Sequence, residues 1–227
     1  MTSFENPYTL VQIREALQKQ VDGLNYQKRM IPVGRKLTPS EEQRNQMKHS
    51  AVLVLLLEGM QGIEVLFTQR KMNLKHHPGQ ISFPGGRRDA ADRNAVETAL
   101  RETSEEIGIA ASNVEIIGQL SPVYVVVSNY WVEPFVGYLR QHQAPEINPD
   151  EVETVFAQPL ERFITKNFQK TALVETNSGP LEVPCYEIDG YRIWGATAMI
   201  LAELTGRVSD YWDRRKAIDS DSVHSST

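Results

Sequence analysis

Cysteine is almost missing from this chain. Cys185 is the single one among 227 residues, so no intrachain disulfide can form, and the chain suits a reducing compartment. Its neighbours, LEVPCYEI, read as a strand, which makes Cys185 a small packed side chain rather than a catalytic thiol. Long apolar runs are missing as well. The longest near the start of the core, Ala51 to Leu57 (AVLVLLL), is far too short to cross a bilayer and suits a buried strand. The opening MTSFENPYTL has no basic stretch followed by an apolar core, so no signal peptide is expected and the cytoplasm is the expected location. Positive charge is not in excess either: 24 Lys and Arg against 29 Asp and Glu leave −5. No overall positive field draws the chain to nucleic acid or to an anionic membrane. A polyanionic substrate would need local cations or bound metal. The basic stretch from Lys28 to Lys48 is interrupted by Glu41 and Glu42 and has no aromatic stacking platform, which argues against nucleic-acid binding.

What is present is an ordinary globular composition, with length for one large domain. Helical spacing of Val11, Ile13, Leu17 and Val21 predicts a helix over Thr9 to Val21. Residues Asn25 to His49 show no period and read as an extended arm, with a short helix capped by Ser40. Ala51–Leu57 and Ile63–Gln69, joined by a Gly-rich turn, predict a hairpin. A helix follows from about Asn94 to Ile107, stopped by Gly108. Further strands are expected at Val114–Leu120, Val123–Val127, Tyr130–Leu139, Glu151–Phe156, Thr171–Glu175 and Leu181–Ile188. A helix should open at Pro159–Ile164, and a late one should span Trp194–Leu204 with Gly206 just past its end. Strands interrupted by a few helices, without regular alternation, predict an α+β fold built as an α/β/α sandwich: a mixed central sheet flanked by helices. The expected organisation is an N-terminal helix and arm (1–49), a core domain (50–205) and a C-terminal tail with a disordered end (206–227).

The chemistry concentrates in Gly85 to Ile109. On a helix, Val96, Ala99, Leu100, Thr103 and Ile107 share one face, with Glu102, Glu105 and Glu106 on its flank at i, i+3 and i+4. Like charges so spaced repel by a few tenths of a kcal/mol per pair, roughly, so a shared divalent cation explains them better than a solvated acidic face. Hard Mg²⁺ takes such oxygen ligands. Arg101, one turn from both Glu97 and Glu105, can pair with either and orient a carboxylate. Ahead of the helix stands Phe83-Pro84-Gly85-Gly86. The two glycines permit positive φ and close backbone approach, so that a carbonyl can face a metal and amides can face phosphate.

These residues resemble the Nudix box, Gly, five residues, Glu, seven residues, then Arg-Glu-apolar-x-Glu-Glu-x-Gly-apolar. Arg101-Glu102-Thr103-Ser104-Glu105-Glu106-Ile107-Gly108-Ile109 matches the second half, with Thr103 in an apolar slot. The first half departs: five residues after Gly86 comes Asp92, and eight residues separate it from Arg101. Asp92 either caps the helix or replaces the family glutamate. Upstream, LFTQRKMNLKHHPGQISFPGG (Leu66 to Gly86) resembles the signature of the coenzyme A pyrophosphatase branch, as does IWGATAMIL (Ile193 to Leu201). Arg70, His77, Gly79 and Gln80 fit that signature, while Lys71 and Lys75 stand where the branch usually has a small residue and Arg.

The resemblance implies the Nudix fold and a metal-dependent hydrolysis of the pyrophosphate of coenzyme A or its derivatives, giving 3′,5′-ADP and 4′-phosphopantetheine or its acyl form. Glu102, Glu105, Glu106 and Gly86 would be the metal ligands, for Mg²⁺ or Mn²⁺. Arg101, Glu105, Glu106 and Glu151 are the expected catalytic residues, with Glu105, Glu106, Glu151 and Glu153 all open as the general base. Arg70, Lys75, His77, Gly85 and Gly86 would bind substrate, and the cations from Arg70 to His77 could hold the extra phosphate. A zinc site at His76 and His77 lacks a second pair of ligands. The rival substrates are ADP-ribose, a dinucleotide or an oxidised nucleoside triphosphate. The non-catalytic rival is a nucleotide-sensing module, against which the three retained glutamates argue. The resemblance also implies a homodimer.

Overall fold

The computed structural model describes residues 8–32, 39–74, 77–165, 169–176 and 179–224. In chain order these form α1 (Leu10–Gln18), α2 (Leu24–Gln27), a 3₁₀ turn (Lys28–Met30), α3 (Glu41–Asn45), β1 (Lys48–Gly59), β2 (Gly62–Arg70), β3 (Ile81–Ser82) and β4 (Gly85–Arg87). Then come α4 (Ala95–Ile107), a second 3₁₀ turn (Ala111–Asn113), β5 (Val114–Gln119), β6 (Val123–Val125), β7 (Tyr130–Leu139), β8 (Val152–Pro159) and α5 (Leu160–Thr165). The chain closes with β9 (Gln169–Thr176), β10 (Gly179–Ile188), β11 (Tyr191–Trp194) and α6 (Gly195–His224).

The main sheet runs β3-β2-β1-β7-β5, with β4 on β1, β6 on β7 and β8 on β2. It is mixed, because β1 pairs parallel with β7 and antiparallel with β2 and β4. A strand covered on both faces needs no polar alternation, which is why β1 reads as a continuous apolar run. Leu53 and Leu55 enter one core with Ala99 and Ile107 of α4. Val54 and Leu56 enter the opposite core with Ile13 of α1 and Leu201 and Leu204 of α6. All four β1 side chains have no solvent exposure, and burying each stabilises the fold by roughly 2 kcal/mol. The result is the expected α/β/α sandwich. A separate three-stranded sheet, β11-β10-β9, stands beside it, and Cys185 is buried there, its thiol pushed up by that burial.

Three expectations need correction. The late helix does not stop at Leu204: α6 continues to His224 and absorbs most of the expected tail, whose last residues (225–227) lie outside the described ones. Gly206 is therefore interior to the helix. A Cβ there would meet the Tyr26 ring at 2.2 Å, so the glycine serves close packing against α2. The arm is not simply extended, since Tyr26 and Met30 are buried within α2 and the 3₁₀ turn, while 33–38 lie outside the described residues. These helical pieces have no period because they are too short to show one. The diglycine forms β4, with Gly85 and Gly86 paired with Val52 and Ala51 of β1. Last, Glu106 is not on the flank of α4. It is buried, with Thr98, Ala99, Thr103 and Ile107, whereas Val96 and Leu100 are only partly covered.

The Ser40 cap, by contrast, is as expected: its hydroxyl accepts from the Gln43 amide while Gln43 reaches back.

Candidate active site

Helix α4 carries the acids, and its ends are fixed by local chemistry. Asn94 caps it by accepting from the Glu97 amide at 3.0 Å, and Gly108 closes it in the left-handed region at φ 69°. Beyond Gly108 the loop returns over the helix end. The amides of Glu146 and Asn148 donate to the carbonyls of Ile107 and Glu106, each at 2.9 Å. Asn148 then takes the amides of Glu151 and Val152 on its carbonyl and that of Asp150 on its side chain at 3.0 Å. The Glu151 carbonyl accepts in turn from the Lys71 amide, at the end of β2. Glu151 is so brought near Glu102 and Glu106, close enough to repel both.

Four carboxylates thus share one neighbourhood. Glu106 is 4% exposed. Its Oε2 accepts from the Gly85 amide at 3.2 Å, and its Oε1 lies 3.9 Å from Nη1 of Arg70. Burial pushes its carboxyl up to about 8, against the pull of the Gly85 amide and Arg70. Glu102 is likewise raised by burial, with Arg101 opposing and Glu105 and Glu151 adding to the rise. Arg101 Nη1 donates to Glu102 Oε1 at 3.0 Å and to Glu105 Oε2 at 2.9 Å, and Glu105 is the more exposed of the two. Of the two partners the sequence offered Arg101, the helix thus supplies Glu105; Glu97 pairs with Arg93.

The glycine strand forms the wall. Gly85, at φ 149°, has no room for a Cβ, which would sit 2.4 Å from the Ala51 carbonyl oxygen. At Gly86 a Cβ would fall 2.3 Å from the Glu102 carboxyl group, so the missing methyl is the space this carboxylate occupies. The expectation that the Gly85 amide faces a phosphate is corrected, since Glu106 already takes it.

Arg70 ends β2, and its Nε is buried without a hydrogen-bond partner among the described residues. Lys71 pairs with Glu153 at 3.4 Å, in the open, so of the two late-loop glutamates only Glu151 turns toward the cluster. His77 is exposed, in the left-handed region, with Nδ1 3.0 Å from Gln80 Oε1. Lys75 and His76 lie outside the described residues.

Among the described residues no three acids, histidines or cysteines close on one point as a finished ion cage. The donors still suit a hard divalent ion, because they are all carboxylate oxygens, crowded, partly desolvated and short of counter-charge. Such an ion commonly takes one or two carboxylates from the protein and completes its shell with water and substrate phosphate.

A family model of the NUDIX domain matches residues 47–175. The chain belongs to the Nudix family. It is 34% identical over 174 residues to an uncharacterized Nudix hydrolase, NudL, of Pectobacterium atrosepticum, covering 77% of this chain and 90% of that one. Against NudL of Escherichia coli K12 the identity is 36% over 157 residues, 69% of this chain and 81% of the relative. Among solved structures, a MutT/nudix family protein from Enterococcus faecalis aligns with 89% of this chain and 75% of its own, at 16% identity and a TM-score of 0.48.

Within this Nudix chain, the departure at Asp92 acquires a structural account. Asn94, not Asp92, caps the helix. Asp92 is buried and receives the Arg101 guanidinium on both oxygens, the Asp89 amide at 2.8 Å and the Thr98 hydroxyl at 2.9 Å. These contacts, the arginine first, hold its carboxyl far below the usual range. Sequence reasoning left this pair unseen, as it did Asn148 and the Arg70–Glu106 approach.

Proposed function

We propose that this Nudix hydrolase cleaves the pyrophosphate of coenzyme A or its derivatives, releasing 3′,5′-ADP and 4′-phosphopantetheine or the acyl form. The observation that carries the reading is the crowding of Glu102, Glu105, Glu106 and Glu151 beside Arg70, with Glu106 buried against the glycine strand. Like charges gathered there repel, and a cationic partner would relieve the repulsion. Nudix hydrolases generally use divalent metal ions. In this reading Glu102, Glu105, Glu106 and the Gly86 carbonyl hold Mg²⁺ or Mn²⁺, which when bound would neutralise phosphate oxygens and stabilise the leaving phosphate.

The chain's own groups do the rest. Arg101 positions Glu102 and Glu105 from its anchor on Asp92. Arg70, whose Nε lacks a partner among the described residues, orients a non-bridging phosphate oxygen, together with Lys75 and His77. Glu151 takes a proton from water as the water oxygen bonds to one phosphorus and the bridging P–O bond breaks, its electron pair leaving with the second phosphate. The preference for coenzyme A rests on the segment Leu66 to Gly86 and on Ile193 to Leu201. The test is product analysis with Mg²⁺ on coenzyme A, ADP-ribose, a dinucleotide and an oxidised nucleoside triphosphate. Release of 3′,5′-ADP as the fastest reaction is expected. Faster cleavage of another member would reassign the substrate, and no product from any would return the chain to a binding role.

A further inference from the structure

A second polar groove opens on the outer side of β4, about 580 Å³ in volume. Its rim carries Lys48, His49, Arg87 and Arg88, all exposed. Arg88 is held in place by Nη2, which donates to the carbonyls of Asp92 and Arg93. The ammonium of Lys48 lies 5.5 Å over the Tyr130 ring. Among the described residues the side chains of Arg87 and His49 make no hydrogen bond or ion pair. Two acids line the groove, but the charge of Asp92 is already matched by Arg101, which leaves Asp89, whose Oδ1 accepts from the Ala91 amide. Three permanent cations and a histidine thus face one uncompensated carboxylate, in a chain whose net charge is −5.

The groove shares a wall with the carboxylate cluster. Arg87 follows Gly86, whose missing Cβ makes room for Glu102, and Arg101 Nη2 donates to the Arg87 carbonyl at 3.1 Å. Arg70 and Lys71, by contrast, face Glu106 and Glu153. We propose that the groove of Lys48, Arg87 and Arg88 is an anion subsite that takes a phosphate monoester carried by the nucleotide half of the substrate, apart from the pyrophosphate that is cut. A dianionic phosphate suits it because the Arg87 guanidinium, without a hydrogen bond or ion pair among the described residues, and the Lys48 ammonium beside it can give charge-assisted hydrogen bonds there. The assignment of the scissile bond rests on the function proposed above. The subsite itself rests on the three exposed cations of the groove and on the excess of their charge over the one carboxylate that faces them.

The test uses the full chain and the Lys48→Ala, Arg87→Ala double variant, with Arg87→Lys beside them to retain charge. Calorimetry compares binding of 3′,5′-ADP with that of 5′-AMP, which lacks the extra phosphate. Wild type should bind the bisphosphate about tenfold more tightly, as one to two charged hydrogen bonds would give. The double variant should lose that preference and Arg87→Lys should keep most of it. In parallel, kcat/KM for coenzyme A is compared with that for dephospho-coenzyme A, and the ratio should fall by about the same factor in the double variant. If neither coenzyme is cleaved but the binding preference is present and lost on substitution, the subsite stands and the coenzyme A reading falls. If wild type shows no binding preference, or the double variant retains it, the subsite is overturned whatever coenzyme A does.

Discussion

The guanidinium of Arg101 grips the carboxylate of Asp92 through two hydrogen bonds, each 3.0 Å, across nine residues of sequence. The same guanidinium reaches Glu102, Glu105 and the Arg87 carbonyl. One side chain therefore joins the loop, the helix and the glycine strand. Removing Asp92 takes away both of those bonds and leaves the Asp89 amide and the Thr98 hydroxyl without their acceptor in a buried spot. Asp92→Ala should lower stability by about 2 kcal/mol, a fall in melting temperature of roughly 6 °C for a chain this size. Scanning calorimetry measures it, and an unchanged melting point would reduce the contact to decoration.

The same pair sets a pH dependence. The folded-state value of Asp92 lies below the ordinary aspartate value of 3.8. Its contribution is therefore complete well above that value, and it is lost as the pH falls through it toward the lower folded value, because the unfolded chain takes up the proton first. The stability gap between wild type and Asp92→Asn, from urea melts, should be flat from about pH 7 to 5 and shrink toward pH 3. A gap that widened on acidification would have the wrong sign.

The two adjacent glycines should respond differently to the same methyl group. At Gly86 the obstacle is the end of the Glu102 side chain, which can swing away. Gly86→Ala should keep the melting temperature within a few degrees while activity falls at least about tenfold and the Mg²⁺ requirement rises. At Gly85 the obstacle is the backbone of Ala51 and Val52, at positive φ. Gly85→Ala should cost about 2 kcal/mol or more in stability. Equal effects in both assays would mean that the wall of the site is misread.

Much of this was legible beforehand, and the reasons are physical. The apolar run of β1 announces a strand buried on both faces, and the caps at Ser40 and Gly108 announce helix boundaries. The acidic spacing on α4 announces the site. Glu106 was harder, because helical phase alone places it beside the apolar face, and only the Gly85 amide and Arg70 make its burial tolerable. Asn148 was invisible because its work is done through its backbone and a short turn. Gly206 read as a helix stop because a glycine inside a helix costs about 1 kcal/mol, and the contact with Tyr26 that offsets this comes from far away in sequence.

That contact can be probed directly. Alanine normally improves a helix interior by about 1 kcal/mol over glycine. At position 206 the added methyl would collide with the Tyr26 ring, so Gly206→Ala should destabilise by roughly 1–3 kcal/mol. Combining it with Tyr26→Ala should recover part of the loss. A simple stabilisation in chemical denaturation would show that α2 does not press on α6 in this way.

The central claim is that the buried carboxylate of Glu106 belongs to the machinery that cuts pyrophosphate. Glu106→Gln tests it most directly, since the amide oxygen can still accept from Gly85 while the ligating charge is gone. The substrate cut fastest by wild type is assayed with saturating Mg²⁺, alongside a thermal melt of the same sample. The expected result is a kcat lowered by at least about a hundredfold with a melting temperature equal to or above that of wild type. A near-normal kcat in the folded variant would remove Glu106 from the chemistry and the carboxylate cluster with it.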